Sequence, residues 1–292
     1  MKPAPFDYIL ASSLDHALRL KAEHGDEARF LAGGQSLIPA MNFRLARPAV
    51  LIDINHIPEL AGVDCSKPNE IRLGAMTRYR ALERDGDFLK ACPLFADALP
   101  HIAHPPIRNR GTVGGNLSHA DPASELPAIA VAMQGRMRVK SSRGERELAA
   151  ADFFVGLLTT DLQPDEMLVE ITLPKTTPKS GSCFMELARR RGDFALAGVA
   201  AIVSLDDDDR ATHVRLALCG VGETPVDASA AASSLIGQKC TDAAIEIVAA
   251  DVQKALAPSA NIHASGEYQR HIAGVLTRRA VAAACERIGL RS

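Results

Sequence analysis

A glycine-rich stretch in the first half of the chain has the residue pattern most typical of a binding site. Residues 107–127 read IRNRGTVGGNLSHADPASELP and place Gly111, Gly114 and Gly115 between two apolar segments. Glycine permits unusual backbone conformations and lets the chain lie against a bound group without a Cβ in the way. Successive N–H groups in such a turn form a concave site for an anion, most often a phosphate. A turn that serves only the chain topology is the simpler alternative.

Short polar side chains accompany these glycines. Thr112, Asn116 and Ser118 add hydrogen-bond donors, and Asp121 and Glu125 add acceptors that suit ribose hydroxyl groups. The stretch therefore contains groups for both the phosphate and the sugar of a nucleotide.

Another glycine turn occurs earlier in the chain; it is the first of the two in chain order, and the turn at Gly111–Gly115 is the second. Residues 30–37 read FLAGGQSL, an apolar run followed by Gly33 and Gly34 and then a helix-compatible segment. The spacing is not G-x-G-x-x-G and lacks the acidic residue of a Rossmann unit, so that fingerprint is excluded. No Gly-Lys-Ser/Thr follows, which excludes a P-loop. Two such turns suit a diphosphate held from two sides.

The composition indicates an ordinary globular protein that is large enough for two domains. The 292 residues are 47% hydrophobic and 23% charged, with a formal net charge of −2. This balance gives no electrostatic reason to expect nucleic-acid binding. No apolar run approaches the length of a membrane-spanning helix, and the start MKPAPFDYIL lacks the features of a signal peptide. We therefore expect no membrane insertion and a cytoplasmic location.

The cysteines show no metal-binding pattern. The sequence has 6 cysteines, at positions 65, 92, 183, 219, 240 and 285, and contains no C-x-x-C pair. Buried free thiols are the expected state, and neither an iron–sulfur cluster nor any other metal site is predicted in this chain.

The elements around the first glycine turn predict a small α/β lobe. Ser13 is expected to cap a helix that stops at Gly25, and strands are predicted at 29–32 and 51–54. A short helix at 36–43 would point its N-terminus at the bound group, where N–H groups favour negative charge.

The middle of the chain alternates strands with short helices. Thr77 is predicted to cap a helix through Arg84, and Asp152 a helix in the segment DFFVGLL. His101 and His104 are interpreted as structural or surface residues rather than as cofactor-tethering or acid–base groups. Strands are predicted at 71–74, 137–140, 145–148 and 167–173, and further helices at 93–103 and 128–133.

A second domain is expected after the Ser/Thr/Pro-rich segment 175–182. Strands are predicted at 184–188, 198–205 and 214–221, and helices at 228–236, 243–256 and 268–288. This order favours an antiparallel sheet with helices on one side, and hence an α+β fold. The acidic run 206–209 is interpreted as a solvated turn rather than a metal site.

Both glycine motifs, AGGQSL and RNRGTVGGNLSHADPASELPA, resemble those of the FAD-binding medium subunits of molybdenum hydroxylases. The blocks LIDINHIPEL, DFFVGLLTTDLQPDEMLVEITLP and FMELARRRGDFALAGVAA resemble later blocks of that family in the same order, so the resemblance covers nearly the whole chain. It implies a two-lobed PCMH-type FAD-binding domain at 1–176, with sub-lobes of about 1–57 and 58–176. A CO dehydrogenase flavoprotein C-terminal type of domain would follow at 182–288.

The resemblance also assigns a cofactor site for FAD. Glu125 would accept from the adenosine ribose, although the family more often has Asp there, and Ile102 and Ala103 would line the adenine. Leu168 would lie beside the isoalloxazine, and Phe194 against one face of the ring; from the sequence alone Phe194 is simply a core residue. The pyrophosphate would be held by Ala32, Gly33, Gly34, Gln35, Ser36, Leu37, Thr112, Val113, Gly114, Gly115 and Asn116.

The family further implies partners and a role in electron transfer. A small iron–sulfur subunit with [2Fe–2S] clusters and a large molybdopterin subunit would complete a heterotrimer, doubled by symmetry. Electrons would pass from the clusters to FAD and on to NAD, a quinone or oxygen, and no catalytic residue is assigned to this chain. A free-standing flavin oxidoreductase and a non-redox nucleotide-binding module are the alternatives. Arg189–Arg191 would attract an acceptor such as NAD or form a solvated face.

Overall fold

The structure is a computed structural model and describes residues 1–288. Its strands are β1 (Asp7–Leu10), β2 (Ala28–Leu31), β3 (Val50–Asp53), β4 (Val63–Asp64), β5 (Glu70–Gly74), β6 (Arg136–Ser141), β7 (Gly144–Ala149), β8 (Phe154–Gly156), β9 (Thr159–Thr160), β10 (Met167–Pro174), β11 (Ser180–Ala188), β12 (Ala195–Leu205), β13 (Ala211–Cys219) and β14 (Val226–Asp227). Its helices are α1 (Leu14–His24), α2 (Leu37–Asn42), α3 (Tyr79–Leu82), α4 (Gly86–Ala91), α5 (Pro93–Ala98), α6 (Pro105–Arg108), α7 (Val113–His119), α8 (Glu125–Ala132), α9 (Ala150–Phe153), α10 (Asp242–Ala255) and α11 (Gly266–Ile288).

The first sheet is parallel and small. Its 3 strands have the order β1-β3-β2, and β3 is buried along its whole length. Helix α1 packs against this sheet and begins at Ser13, whose hydroxyl oxygen accepts from the N–H of His16 at 3.1 Å, as the sequence predicts. The chain leaves β2 directly into the first glycine turn, so the sheet fixes the position of that turn.

The second sheet is antiparallel and has 5 strands in the order β4-β5-β10-β6-β7. Strand β10 lies at its centre; helix α7 packs on β5 and β10, and helix α9 packs on β6 and β7. Large apolar side chains fill the core between them; Phe88 and Phe95 meet edge to face with ring centroids 5.2 Å apart. Helix α7 carries the second glycine turn at its N-terminus and packs against β10.

The third sheet is antiparallel, with 4 strands in the order β11-β12-β13-β14. Helices α10 and α11 cover one face, as predicted, while α5 and α8 of the preceding domain pack against the sheet from the other side. Helix α11 comes very close to β11, because a Cβ on Gly181 would lie 1.8 Å from the carbonyl oxygen of Ala284. Because α5 contacts β11 and α8 contacts β12 and β13, the two domains share a closely packed junction.

Two predicted helix starts in the first domain are wrong. The Thr77 hydroxyl donates to the carbonyl of Gly62 at 2.8 Å and so ties down a loop, while helix α3 begins only at Tyr79. Asp152 lies inside the short helix α9, and the chain then forms strands β8 and β9. Leu158 adopts a left-handed backbone, with φ of 53°, which closes this hairpin and prevents a helix.

The predicted helix at 228–236 is also wrong. The segment forms turns and ends in a 3₁₀ turn at 233–235. The hydroxyl oxygen of Ser229 accepts from the N–H of Leu216 at 3.1 Å, so a side chain fixes the segment to the edge of β13. Such local bonds between side chain and backbone compete with helix formation. The predicted helices at 243–256 and 268–288 are confirmed to within two residues at each end.

The cysteines of the described residues are all free thiols. Cys92, Cys183 and Cys219 are buried, whereas the other three are only partly buried, so the expectation of buried thiols holds for half of them. In residues 1–288 no group of His, Cys, Asp or Glu side chains is arranged to hold a metal ion. None of the helices between residues 1 and 288 combines the length and apolar composition needed to cross a membrane.

Candidate functional site

The two glycine turns lie in direct contact. A Cβ on Gly33 would be 2.4 Å from the carbonyl oxygen of Arg110 and 3.0 Å from the Cα of Gly111. A Cβ on Gly115 would be 3.7 Å from the Cβ of Ala32. The two distances at Gly33 leave no room for a side chain at that position. The two turns, which are far apart in sequence, thus meet in the fold.

The first turn supplies the free hydrogen-bond donors. Within residues 1–288, none of the backbone N–H groups from Gly33 to Leu37 donates to a protein acceptor. Gly34 has a φ of 73°, a backbone conformation that glycine adopts without strain. The Gln35 side chain donates to the Gly33 carbonyl at 3.0 Å and braces the turn. This run of N–H groups at the start of α2 suits an anionic oxygen.

The second turn uses its own N–H groups internally. The N–H groups of Val113, Gly114 and Gly115 donate to the Thr77 carbonyl at 3.0 Å, the Ala75 carbonyl at 2.7 Å and the Thr112 hydroxyl at 3.1 Å. Gly114 also lies flat on Ala75, where a Cβ would meet another Cβ at 2.4 Å. This turn is therefore a rigid, closely packed wall, whereas the N–H groups of the first turn have no protein acceptor within residues 1–288.

Asn116 and Ser124 connect the second turn to the start of helix α8. The Asn116 amide donates to the Ser124 hydroxyl at 2.7 Å, and that hydroxyl lies 2.9 Å from the amide oxygen. The acidic residue that follows, Glu125, is only 5% exposed. Its position is therefore fixed by the same hydrogen bonds that hold the glycine turn.

Glu125 belongs to a buried acidic cluster at the junction of the two domains. Burial, and to a smaller extent the nearby carboxylate of Glu186, together raise the pKa of Glu125 to about 8. Glu186 in turn lies 3.1 Å from Nδ1 of His101 and leaves its second oxygen without a partner in the described chain. The Tyr79 hydroxyl is also buried without a partner among residues 1–288. Glu125 thus points into the protein, and a contact with ribose would require this junction to admit the sugar.

Ile102 and Ala103 lie at the edge where a loop of the second domain reaches the first. Ile102 is buried, and Ala103 has a left-handed backbone with φ of 46°. The Arg108 guanidinium donates to both carbonyls, at 2.9 and 2.8 Å. Gly192 of the second domain packs closely on this segment. A Cβ added to Gly192 would lie 2.8 Å from the Ala103 carbonyl oxygen.

Phe194 follows Gly192 in the same loop and is 66% exposed. The alternative that Phe194 is a core residue is therefore wrong. The apolar alternation of GDFALAGVA begins only at Ala195, the first residue of the buried strand β12. An exposed aromatic ring beside the Ala103 loop is free to cover a bound group.

Leu168 is buried in the core of the second sheet, opposite Val139 on the neighbouring strand. Its strand, β10, is interrupted by a register shift between Leu168 and Glu170. The strand also packs on helix α7, so Leu168 is connected to the second glycine turn through the core.

Sequence reasoning missed Tyr8, Asp53, Asn55 and Arg78, which join the two turns through hydrogen bonds. The Tyr8 hydroxyl donates to Asp53 at 2.5 Å, and the Asp53 carboxylate accepts from the Asn55 amide at 2.7 Å. Arg78 donates to the Asn55 side-chain oxygen. No spacing in the sequence connects these positions, because they meet only when the sheet and the loops are assembled.

Comparison with known protein families identifies the family to which this chain belongs. Residues 4–176 match the model of the FAD binding domain in molybdopterin dehydrogenase, and residues 182–284 match the CO dehydrogenase flavoprotein C-terminal domain. The chain belongs to the family of FAD-binding medium subunits of molybdenum hydroxylases. As a member of this family it is an oxidoreductase subunit and a flavoprotein that carries FAD.

Relatives resemble this flavoprotein along its whole length. Caffeine dehydrogenase subunit beta of Pseudomonas sp. (strain CBB1) is 41% identical and covers 99% of this chain and 97% of its own. The 6-hydroxypseudooxynicotine dehydrogenase complex subunit alpha of Paenarthrobacter nicotinovorans is 38% identical, with 98% and 97% covered.

Solved structures agree with the fold of this medium subunit. A chain of carbon monoxide dehydrogenase from Hydrogenophaga pseudoflava superposes with a TM-score of 0.94 at 35% identity and covers 98% of this chain and 99% of its own. Quinoline 2-oxidoreductase from Pseudomonas putida 86 gives a TM-score of 0.93 at 33% identity, with 99% of each chain covered. The α+β fold of an FAD-binding domain followed by a flavoprotein C-terminal domain is therefore confirmed.

The residues present fit the cofactor of this family. FAD carries a diphosphate, and the N–H groups from Gly33 to Leu37, which have no protein acceptor within residues 1–288, adjoin the contact of Gly33 with the second turn. Arg78 and Arg110 add positive charge beside the same contact. The donor set and the glycine surfaces therefore suit a diphosphate.

Proposed function

We propose that this chain is the flavoprotein subunit of a heterotrimeric molybdenum hydroxylase. It accepts electrons from the [2Fe–2S] clusters of a small iron–sulfur subunit and passes them to an external acceptor, which is NAD, a quinone or oxygen. A large molybdopterin subunit oxidises the substrate, and the complex is a dimer of heterotrimers. The relatives named as subunits of caffeine and 6-hydroxypseudooxynicotine dehydrogenases support a shared assembly.

The main support for this proposal is the contact between the two glycine turns. Gly33 lies on the Arg110 carbonyl, and the adjoining N–H groups have no protein acceptor within residues 1–288. A diphosphate would accept hydrogen bonds from these donors, and a side chain at Gly33 or Gly115 would displace the diphosphate. The domains of the flavoprotein are assigned to 1–176 and 182–288, with the proposed diphosphate site entirely in the first.

The remaining residues orient the cofactor and shield it. FAD supplies two-electron storage and release when bound, while the protein binds the cofactor and sets its surroundings. Ile102 and Ala103 line the adenine, and Glu125 approaches the ribose from the domain junction. Leu168 borders the isoalloxazine from the core side, and Phe194 covers one face from the exposed loop.

The pyrophosphate contacts are divided between the turns. The donors are the N–H groups of Gly33, Gly34, Gln35, Ser36 and Leu37, whereas the second turn contributes close backbone approach. The residues that line the diphosphate are Ala32, Gly33, Gly34, Gln35, Ser36, Leu37, Thr112, Val113, Gly114, Gly115 and Asn116.

Anaerobic reduction of the flavin tests the proposed role. The chain is produced alone and together with its two partner subunits, and substrate is added while flavin absorbance is followed. We expect flavin reduction by substrate only in the complete complex. Reduction in the isolated chain would show a free-standing oxidoreductase, and a purified chain without flavin would favour a nucleotide-binding module.

A further inference from the structure

One arginine side chain connects the two glycine turns. Arg78 directly precedes helix α3, and its guanidinium donates through Nη1 to the carbonyl of Arg110. Through Nη2 it donates to the side-chain oxygen of Asn55. Arg110 is the residue against which Gly33 packs, so Arg78 holds the second turn at its point of contact with the first.

Asn55 extends this connection to the first turn. Its amide group donates to the carbonyls of Leu31 and Ala32, at 3.2 and 3.0 Å, and to the carboxylate of Asp53 at 2.7 Å. Leu31 and Ala32 are the residues that lead into Gly33. The chain of contacts from Arg110 through Arg78 and Asn55 to Ala32 therefore spans both turns.

We propose that Arg78 is the positioning residue that sets the separation of the two glycine turns for the cofactor diphosphate. A guanidinium has its donors in a rigid fork, so it fixes two acceptors relative to each other, which the point charge of lysine does not. A glycine-rich turn such as the first one has many accessible conformations, and its bridge to the rigid second turn reduces the entropy lost on binding. This proposal rests on the assignment of the turns to the diphosphate.

The substitutions Arg78→Lys and Arg78→Met test the bridge in the full chain. Flavin is removed, and FAD binding is measured by quenching of flavin fluorescence. We expect both variants to weaken FAD binding by about tenfold to a hundredfold, the usual effect of losing a hydrogen bond to a charged group. Arg80→Met is the matched control, because Arg80 lies two positions away and pairs with Glu83 on the surface at 2.9 Å.

Amide hydrogen exchange separates positioning from a general loss of structure. In the flavin-free Lys variant we expect faster exchange in peptides covering 31–37 and 108–116, and unchanged exchange in helix α11. Wild-type FAD affinity and exchange in Arg78→Lys would overturn the proposal, since charge alone would then suffice. Uniformly faster exchange in α11 as well would also overturn it, because Arg78 would then serve general stability.

The glycine variants distinguish failure of this proposal from failure of the site. If Gly115→Val abolishes FAD retention while Arg78→Lys binds FAD normally, the diphosphate site stands and the role of Arg78 falls. If Gly115→Val retains FAD, the assignment of the turns falls, and the positioning role of Arg78 falls with it.

Discussion

Gly33 lies on the carbonyl oxygen of Arg110, at a distance where an added Cβ would be 2.4 Å from that oxygen. This single approach joins the parallel sheet of the first lobe to the loop that begins helix α7. Because an amino acid with a Cβ would force the two turns apart, the approach makes glycine necessary at this position.

We expect Gly33→Ala to lower FAD affinity strongly and to destabilise the chain by about 1–3 kcal/mol through overpacking. Flavin content after purification and thermal unfolding measure the two effects. Gly86→Ala is the matched control, because no atom lies within 4 Å of the position of its Cβ. Equal flavin content in both variants would contradict the contact.

Gly115→Val should abolish FAD retention while the second domain remains folded. A Cβ on Gly115 would lie 2.6 Å from the Thr112 hydroxyl oxygen, which accepts from the Gly115 N–H and begins helix α7. The branched side chain would break this cap and fill the space beside Ala32. Flavin absorbance and hydrogen exchange in helix α11 check the two parts, and unchanged flavin content would count against the site.

Glu125→Gln should remove a pH dependence of stability. The pKa of Glu125 is about 8 in the folded chain, against about 4.3 in the unfolded chain. Between these values the folded state keeps a proton that the unfolded state has lost, so the free energy of unfolding falls as pH rises. Once the pH exceeds the folded pKa, Glu125 is ionised in both states and the free energy of unfolding stops falling.

The size of this effect decides the test. We expect the wild-type chain to lose about 3–5 kcal/mol more than Glu125→Gln between pH 4.5 and 8, from the difference in pKa. Denaturant unfolding of the flavin-free proteins at several pH values measures it. Parallel pH profiles for the two proteins would show that Glu125 is ionised in the fold.

Asp97→Ala should loosen the junction between the two domains. The Asp97 carboxylate accepts from the Arg287 guanidinium of helix α11 and, at 3.2 Å, from the N–H of Phe184. Both donors belong to the second domain, and losing a carboxylate acceptor of this kind costs about 1.5–3 kcal/mol. Limited proteolysis of the segment 175–180 should become faster, whereas equal cleavage rates would show that apolar packing alone holds the junction.

Phe194→Ala should leave stability within about 0.5 kcal/mol of the wild type, because the ring is exposed. If the ring covers the flavin, the same variant should change flavin fluorescence and the rate at which an external acceptor is reduced in the complete complex. Unchanged fluorescence in Phe194→Ala would remove that ring from the cofactor site.

Leu168→Ala, at a buried position, should instead lower the free energy of unfolding by about 2–5 kcal/mol.

The sequence by itself determined the family, the fold class and both glycine motifs, because glycine spacing and apolar periodicity are local properties. Strands β2 and β3 of the first sheet, the longer strands of the other two sheets and the long helices α10 and α11 follow from the same periodicity. The helix starts expected at Thr77 and Asp152 and the helix expected at 228–236 were wrong, because side chains bond to distant backbone or a hairpin closes there.

Only the tertiary structure decided which turn supplies the free donors, because that depends on which N–H groups find acceptors elsewhere in the fold. It also decided that Glu125 is buried beside Glu186, that Phe194 is exposed, and that Arg78 joins the turns. Burial and hydrogen bonding between residues remote in sequence have no periodic signature along the chain. They arise when the domains pack, and the packing sets the chemistry of the site.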